Sequence, residues 1–309
     1  MSGVEIDRPT VTSDVGSFAA PASASPPSAS VALGTTSVTA TDAAPIAAIR
    51  TQALTRRFGE VLAVDRLDLE VRAGELFGLL GPNGAGKTTT IKMLTTLLPP
   101  TDGAASVAGA DIVHEAGLVR TRIGYIPQLI SADGSLTGLE NLQLSARLYH
   151  LRRQTRDERI PEVLRFMALG EAAHRLVRTY SGGMIRRLEL AMAMLHRPAV
   201  LFMDEPTLGL DPTARAAVWD HVLRLREAEG TSILLITHYM DEADELCDRI
   251  AIMHVGRIAA IGTSDELKAH AGPGATLEDA FASLTGAGLD TGGSYRDVAR
   301  TRRTASRLG

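Results

Sequence analysis

The stretch Gly81-Pro82-Asn83-Gly84-Ala85-Gly86-Lys87-Thr88-Thr89 lies between the apolar run Leu76-Phe77-Gly78-Leu79-Leu80 and the helix-like Ile91-Lys92-Met93-Leu94. A glycine-rich loop between a buried strand and a helix start lets backbone N–H groups wrap a polyphosphate. Gly81, Gly84 and Gly86 leave room for the main chain to approach closely. Lys87 is placed to reach the β- and γ-phosphates, and Thr88 to offer a hydroxyl to Mg²⁺. The helix that begins here directs its positive end at the anion. A glycine turn with a chance lysine is the plainer alternative, and the flanking strand and helix count against it. The chain therefore reads as a binder of a nucleoside triphosphate.

Outward from the loop, short β runs alternate with amphipathic helical runs from about residue 46, the mark of strand–helix–strand units. The expected fold is α/β: a P-loop core with a mainly parallel sheet, an antiparallel β part and a helical insert. Residues 74–80 form the strand that feeds the loop. Ile91, Leu94 and Leu98 give the next helix an apolar face until Pro99-Pro100 stops it. Between about 130 and 195 the β signal disappears, and Thr137-Gly138-Leu139-Glu140 reads as a capping box with Leu142, Ala146 and Tyr149 on one face behind it. Strands return at 200–203 and 232–236, and 249–254 with 258–261 reads as a hairpin turning at Gly256.

Two further clusters carry chemistry. Asp204-Glu205 ends the apolar run Val200-Leu201-Phe202-Met203. A carboxylate at the tip of a buried strand suits Mg²⁺ held through its water shell, and a second suits polarising an attacking water. Asp204 takes the first role and Glu205 the second, with an acidic strand-to-loop junction as the plainer alternative. Ser181-Gly182-Gly183-Met184 precedes the helical run 185–195, so Ser181 stands at an N-cap and two glycines bare N–H groups at a positive helix end. That is a second anion site, although Ser-Gly-Gly alone is most often an ordinary cap.

Together and in this order, the motifs resemble the nucleotide-binding domain of ATP-binding cassette (ABC) transporters from about residue 47 to 270. The resemblance makes 81–89 the Walker A loop, Gln128 in Tyr125-Ile126-Pro127-Gln128 the Q-loop, and 181–184 the signature motif. Asp204-Glu205 matches Walker B, Leu208-Gly209-Leu210-Asp211 the D-loop, and His238 in Ile236-Thr237-His238 the switch histidine. It implies that Gly81, Pro82, Asn83, Gly84, Ala85, Gly86, Lys87, Thr88, Thr89 and Gln128 bind ATP, with Thr88, Gln128 and Asp204 around Mg²⁺. It also implies catalytic roles for Glu205, His238 and Lys87, and contact of Ser181, Gly182, Gly183 and Asp211 with the nucleotide of a second subunit. Phe58 would stack on adenine, and an aromatic in Arg56-Arg57-Phe58-Gly59 could equally be a core residue.

The family usually has Leu before and Gln after Ser-Gly-Gly, whereas this chain has Tyr180 and Met184, and Met184 cannot donate a hydrogen bond. Tyr180-Ser181-Gly182-Gly183-Met184 looks like the variant of the daunorubicin-resistance branch of exporters. So do Thr237-His238-Tyr239-Met240-Asp241-Glu242-Ala243 and Leu277-Glu278-Asp279-Ala280-Phe281 with Leu284-Thr285-Gly286. What this implies is the ATP-hydrolysing subunit of an exporter of drug, antibiotic or lipid-like cargo. It would power a separately encoded membrane permease through an ATP-sandwich homodimer, peripherally on the cytoplasmic face of the membrane. The insert near 130–136, below Gln128, would dock a permease helix. The alternative is a soluble ABC ATPase acting on nucleic acid, ribosomes or protein complexes, which usually carries a second cassette, coiled coils or zinc cysteines. A P-loop kinase would leave the second anion site and His238 without a role.

The 309 residues carry a net charge of −4 and a mean hydropathy of +0.06, which fits one or two globular domains and not a nucleic-acid binder. No apolar run approaches the ~20 residues of a spanning helix. Cys247 is the single cysteine and reads as a core residue in a reducing compartment. Residues 1–45, rich in Ala, Ser, Thr and Pro, read as a disordered arm, 46–270 as the ATPase domain, and 271–309 as a C-terminal extension. The extension ends in a basic tail with Arg296, Arg300, Arg302, Arg303 and Arg307, read as a solvated end or a membrane-surface contact. Asp241, Glu242, Asp244 and Glu245 read as a solvated helix face.

Overall fold

Strands β3 (Leu76–Leu80), β7 (Val200–Asp204) and β8 (Ser232–Thr237) are buried along their whole length, the pattern of parallel strands covered on both faces. With β6 (Ile123–Ile126), β9 (Arg249–His254) and β10 (Arg257–Gly262) they form a six-stranded sheet of order β10-β9-β3-β8-β7-β6. Its neighbours run parallel except β10, which returns antiparallel from β9. Val255 and Gly256 at the hairpin turn both have positive φ, 45° and 76°, which suits the right-handed twist of the strands they join. A second, antiparallel sheet has the order β2-β1-β4-β5, from β1 (Ala47–Phe58), β2 (Val61–Arg72), β4 (Asp102–Val107) and β5 (Ala110–Asp111). The computed structural model describes residues 47–286, so the expected N-terminal arm and the basic tail lie outside the described residues.

Side chains alternate across the parallel sheet and fill two layers. Phe202, Leu234 and Ile236 meet Ile49, Leu69 and Val71 of the antiparallel sheet and Ile91, Met93 and Leu94 of α1 (Lys87–Leu94). Leu201, Met203, Ile233 and Leu235 face the helical layer. That layer comprises α3 (Gly138–Leu148), α4 (Arg153–Phe166), α5 (Gly182–Met194) and α6 (Pro212–Glu229), while the short α2 (Ala116–Arg122) precedes β6. The insert is helical as expected. Its capping box forms, with Thr137 Oγ1 accepting from the Glu140 N–H at 3.2 Å and Glu140 Oε2 accepting from the Thr137 N–H at 2.8 Å.

A third cluster joins Leu80, Ile250 and Ile252 to α7 (Met240–Leu246), α8 (Ser264–Ala269) and α9 (Leu277–Thr285), and Phe281 is buried at its centre. Cys247 is half-buried beside it, its sulfur so close to Gly78 that a Cβ there would stand 2.9 Å away. Burial pushes the Cys247 thiol pKa well above its ordinary value. One expectation needs correction. The helix after the loop ends at Leu94, a turn before Pro99-Pro100, because the Thr95 hydroxyl donates to the Ile91 carbonyl at 2.8 Å and Thr96 adopts a left-handed φ of 63°. Leu98 packs on the same core from outside the helix. Among the described residues no helix is long and apolar enough to cross a membrane.

Candidate active site

The register of the parallel sheet decides what meets at its edge. Leu80 pairs with Thr237, Asp204 with Ile236, and Ile126 with Met203, so four strands end level with one another. The residues just beyond those ends are Gly81, Gln128, Glu205 and His238. In open α/β sheets this carboxyl edge is where ligands bind.

In the loop 81–89, a Cβ on Gly81 would lie 2.3 Å from the Met253 carbonyl oxygen, and one on Gly86 2.5 Å from that of Ala63. Gly86 also has a φ of 106° at the N-cap of α1, a conformation closed to other residues. The Ala85 carbonyl accepts from the Gly256 N–H at 2.9 Å, so the β9–β10 turn buttresses the loop. Asn83, Gly84 and Thr88 are exposed, Pro82 and Thr89 half-buried. Lys87 is buried and its Nζ donates to the carbonyls of Gly81 at 2.6 Å and Pro82 at 3.0 Å. Burial lowers its pKa, and the charges of Glu205 and Asp204 oppose that shift.

Asp204 is buried at the tip of β7. Burial and the neighbouring Glu205 charge hold its carboxyl above the usual range, offset in part by the Thr88 hydroxyl, Lys87 and Lys92. Glu205 leaves the strand in a left-handed conformation with φ 49°, a strained geometry for a side chain with a Cβ, and its N–H donates to the Ile236 carbonyl at 2.9 Å. The turn lays its carboxylate across the sheet edge. Glu205 Oε2 accepts from Gln128 Nε2 at 3.1 Å, and Oε1 meets His238 Nδ1 at 3.1 Å. A carboxylate only accepts, so this contact selects the His238 tautomer with its proton on Nδ1. The chain Gln128–Glu205–His238 thus joins three of the expected site residues next to Lys87 and Asp204.

Glu242 corrects the expectation of a solvated acidic face. It is buried and accepts from the Thr207 hydroxyl at 2.5 Å, Trp219 Nε1 at 3.2 Å and the Thr237 hydroxyl at 3.1 Å. Thr237 Oγ1 in turn accepts from the Tyr239 N–H at 3.0 Å, so both residues flanking His238 are fixed to one carboxylate. Asp244 is ion-paired with Lys268, while Asp241 and Glu245 are exposed as expected. The signal was Glu242's place between Met240 and Ala243, both of which are buried.

Ser181, Gly182, Gly183 and Asp211 form a separate cluster. A Cβ on Gly182 would stand 3.1 Å from Leu210, and one on Gly183 3.1 Å from Ala214, so these glycines lie against the start of α6. Ser181 Oγ accepts from the Met184 N–H at 3.3 Å as N-cap of α5, and Asp211 Oδ1 from the Ala214 N–H at 2.9 Å as N-cap of α6. The two departures in the motif have structural roles. Tyr180 is buried, with its hydroxyl donating to the Ala172 carbonyl at 2.7 Å, and Met184 packs half-buried on the core. Phe58 is 45% exposed at the end of β1 with the Arg56 guanidinium 4.6 Å from its ring centre, which rules out a core role.

The family profile described as ABC transporter matches residues 64–208. The daunorubicin/doxorubicin resistance ATP-binding protein DrrA of Streptomyces peucetius is 50% identical over 228 residues, covering 74% of this chain and 69% of that protein. The daunorubicin resistance ATP-binding protein DrrA3 of Streptomyces coeruleorubidus is 48% identical over 225 residues, covering 73% and 71%. The chain belongs to the ABC transporter family. A solved ATP-binding subunit of an ABC transporter overlays with a TM-score of 0.69 at 32% identity, over 76% of this chain and 98% of that one. As an ABC ATP-binding subunit the protein is an ATPase. Its donor set fits Mg²⁺: the Thr88 hydroxyl and the amide oxygen of Gln128, whose nitrogen is engaged by Glu205, would be hard oxygen ligands, and the Asp204 carboxylate would accept from a metal-bound water, which leaves positions for phosphate.

Proposed function

We propose that this ABC ATPase drives export of a drug, antibiotic or lipid-like cargo through a separately encoded permease, with two copies sandwiching ATP on the cytoplasmic face of the membrane. The observation that carries the catalytic part is the Gln128–Glu205–His238 chain at the strand ends. The backbone of 81–89 and Lys87 hold the β- and γ-phosphates, Lys87 exchanging its two carbonyl partners for phosphate oxygens. Thr88, Gln128 and, through water, Asp204 would hold Mg²⁺, which would supply neutralisation of the developing phosphate charge when bound. Glu205 takes the proton of the attacking water, and His238, held through its Nδ1–H by Glu205, contacts the γ-phosphate. Exposed Phe58 stacks on adenine. Ser181, Gly182, Gly183 and Asp211 complete the site of the second subunit.

The relatives' names carry daunorubicin and doxorubicin resistance, which supports the exporter reading over action on nucleic acid or ribosomes. Leu129 and Ile130, 81% and 58% exposed directly after Gln128, support docking of a permease helix. So does a nearby cavity of about 410 Å³ lined by Leu97, Tyr125, Leu148 and Tyr149. Purified protein with Glu205→Gln tests the catalytic assignment: ATP binding should persist while hydrolysis falls about 10²- to 10⁴-fold. Hydrolysis at the parent rate would remove Glu205 from that role. Charged residues at Leu129 and Ile130 should abolish transport in cells while the isolated subunit keeps its ATPase rate, and unimpaired transport would place the permease elsewhere.

A further inference from the structure

Arg186 and Glu189 lie one turn apart on α5, just after the signature glycines, with side chains only 7% and 1% exposed and 2.8 Å between Nη1 and Oε2. Neither is needed to bury the helix, whose Leu188, Leu190 and Ala191 already do so. Placing two charges there carries a large desolvation cost, and an apolar pair of similar volume would pack at least as well. What an apolar pair would lose is a set of hydrogen bonds to one short loop. Arg186 Nη1 donates to the Pro127 carbonyl at 3.1 Å and Nη2 to the Gln128 carbonyl at 2.8 Å. Glu189 Oε1 accepts from the Ser131 N–H at 2.5 Å and the Ser131 hydroxyl at 2.9 Å. The pair therefore grips residues 127–131 on both sides of Gln128, and Gln128 reaches Glu205.

We infer that Arg186 and Glu189 are the positioning residues of Gln128, making the signature end of α5 and the Q-loop one mechanical unit. Displacement of α5 then moves Gln128 relative to Glu205. The fork of the guanidinium matters because two carbonyls and a carboxylate are held at once, which a single ammonium cannot reproduce. In the proposed sandwich the signature glycines touch the partner's nucleotide, so the pair reports the occupancy of one site to the hydrolytic carboxylate of the other. Such coupling is reciprocal between sites. This last step rests on the proposed function; the positioning of the loop does not.

The test uses the full chain with Arg186→Lys and, separately, Glu189→Gln, each combined with Gln128→Ala. Arg186→Lys should leave ATP affinity within about two-fold and lower kcat roughly ten-fold, the size expected for a misplaced site group. In the Gln128→Ala background the same change should add nothing, because the residue it positions is gone. A full further ten-fold loss there would show that Arg186 acts elsewhere and overturn the inference. Amide exchange of 129–131 in the nucleotide-free variants should accelerate roughly ten-fold while exchange in the β7 and β8 core is unchanged. Unaltered exchange in that segment would overturn the inference whatever the ATPase rate. An inactive parent protein would refute the functional reading, and the exchange measurement would still decide this one.

Discussion

A buried carboxylate and a half-buried imidazole show how single residues set the limits of this protein. Glu242 holds three donors from β8, α6 and the turn after β7, and removing it leaves Thr207, Trp219 and Thr237 without their acceptor. Each unsatisfied buried donor costs about 1–3 kcal/mol, so Glu242→Ala should lower the melting temperature by several degrees. Glu242→Gln, which keeps an acceptor, should lose less. Both should reduce kcat more than ATP affinity, because Thr237 and Tyr239 flank His238; a melting temperature equal to the parent's in Glu242→Ala would contradict the network. His196 gives the pH dependence. Its Nε2 faces the Ile123 carbonyl at 2.8 Å, its ring stacks on Tyr149 with centroids 3.7 Å apart, and its buried Nδ1 has no hydrogen-bond partner. Burial depresses its pKa below the 6.5 of an unhindered imidazole, as it does for His221. Above that value both folded and unfolded chains are neutral here and stability is intact. As pH falls below it the unfolded chain takes up the proton first, and stability is lost until the folded pKa is reached. The slope for one such group is at most about 1.4 kcal/mol per pH unit. Melting curves between pH 7.5 and 5 should therefore slope less for His196→Gln than for the parent, and parallel curves would remove His196 as a source.

Among the elements, those flanking chemistry were the most legible. A glycine loop after a wholly apolar run, an acidic pair after another and a histidine after a third mark strand ends, and level parallel strands bring strand ends together. The insert announced itself by a capping box, a device contained within four residues. Glu242 and the Arg186–Glu189 pair were not legible because their partners come from other elements, and an acid among charged neighbours looks solvated until those donors are placed. The early end of α1 is not legible for a related reason, since a hydroxyl bonding back to a carbonyl competes with helix continuation without any proline. In the sequence α9 carries only a family signature, yet it supplies Leu277 and Phe281 to the cluster that backs α7, the helix following His238. Phe281→Ala should cost about 3–5 kcal/mol, visible as a lower denaturant midpoint with an unchanged slope. A loss below 1 kcal/mol would mean that α9 is not integral to that core.

Across the whole molecule, the phosphate loop and the signature cluster present two half-sites that the single chain leaves apart. Ser181 and Gly182 are exposed at the start of α5, with the D-loop residue Leu210 beside Gly182, while Asn83, Gly84 and Thr88 are exposed at the loop. Each is the positive end of a helix, and in the proposed sandwich one triphosphate between two copies would satisfy both. In the proposed sandwich a two-fold axis would make two equivalent sites, and the added ATP charge would be the glue: without it, two positive ends would face each other. Full-chain Glu205→Gln protein with ATP and Mg²⁺ should scatter as a dimer and return to monomer with ADP. Ser181→Glu sets a negative charge at the α5 start, so it should abolish the dimer while each chain still binds ATP through residues 81–89. Retention of the dimer in Ser181→Glu would exclude the signature face from the contact. A monomer under all nucleotide conditions, alone and with the permease, would end the shared-site reading.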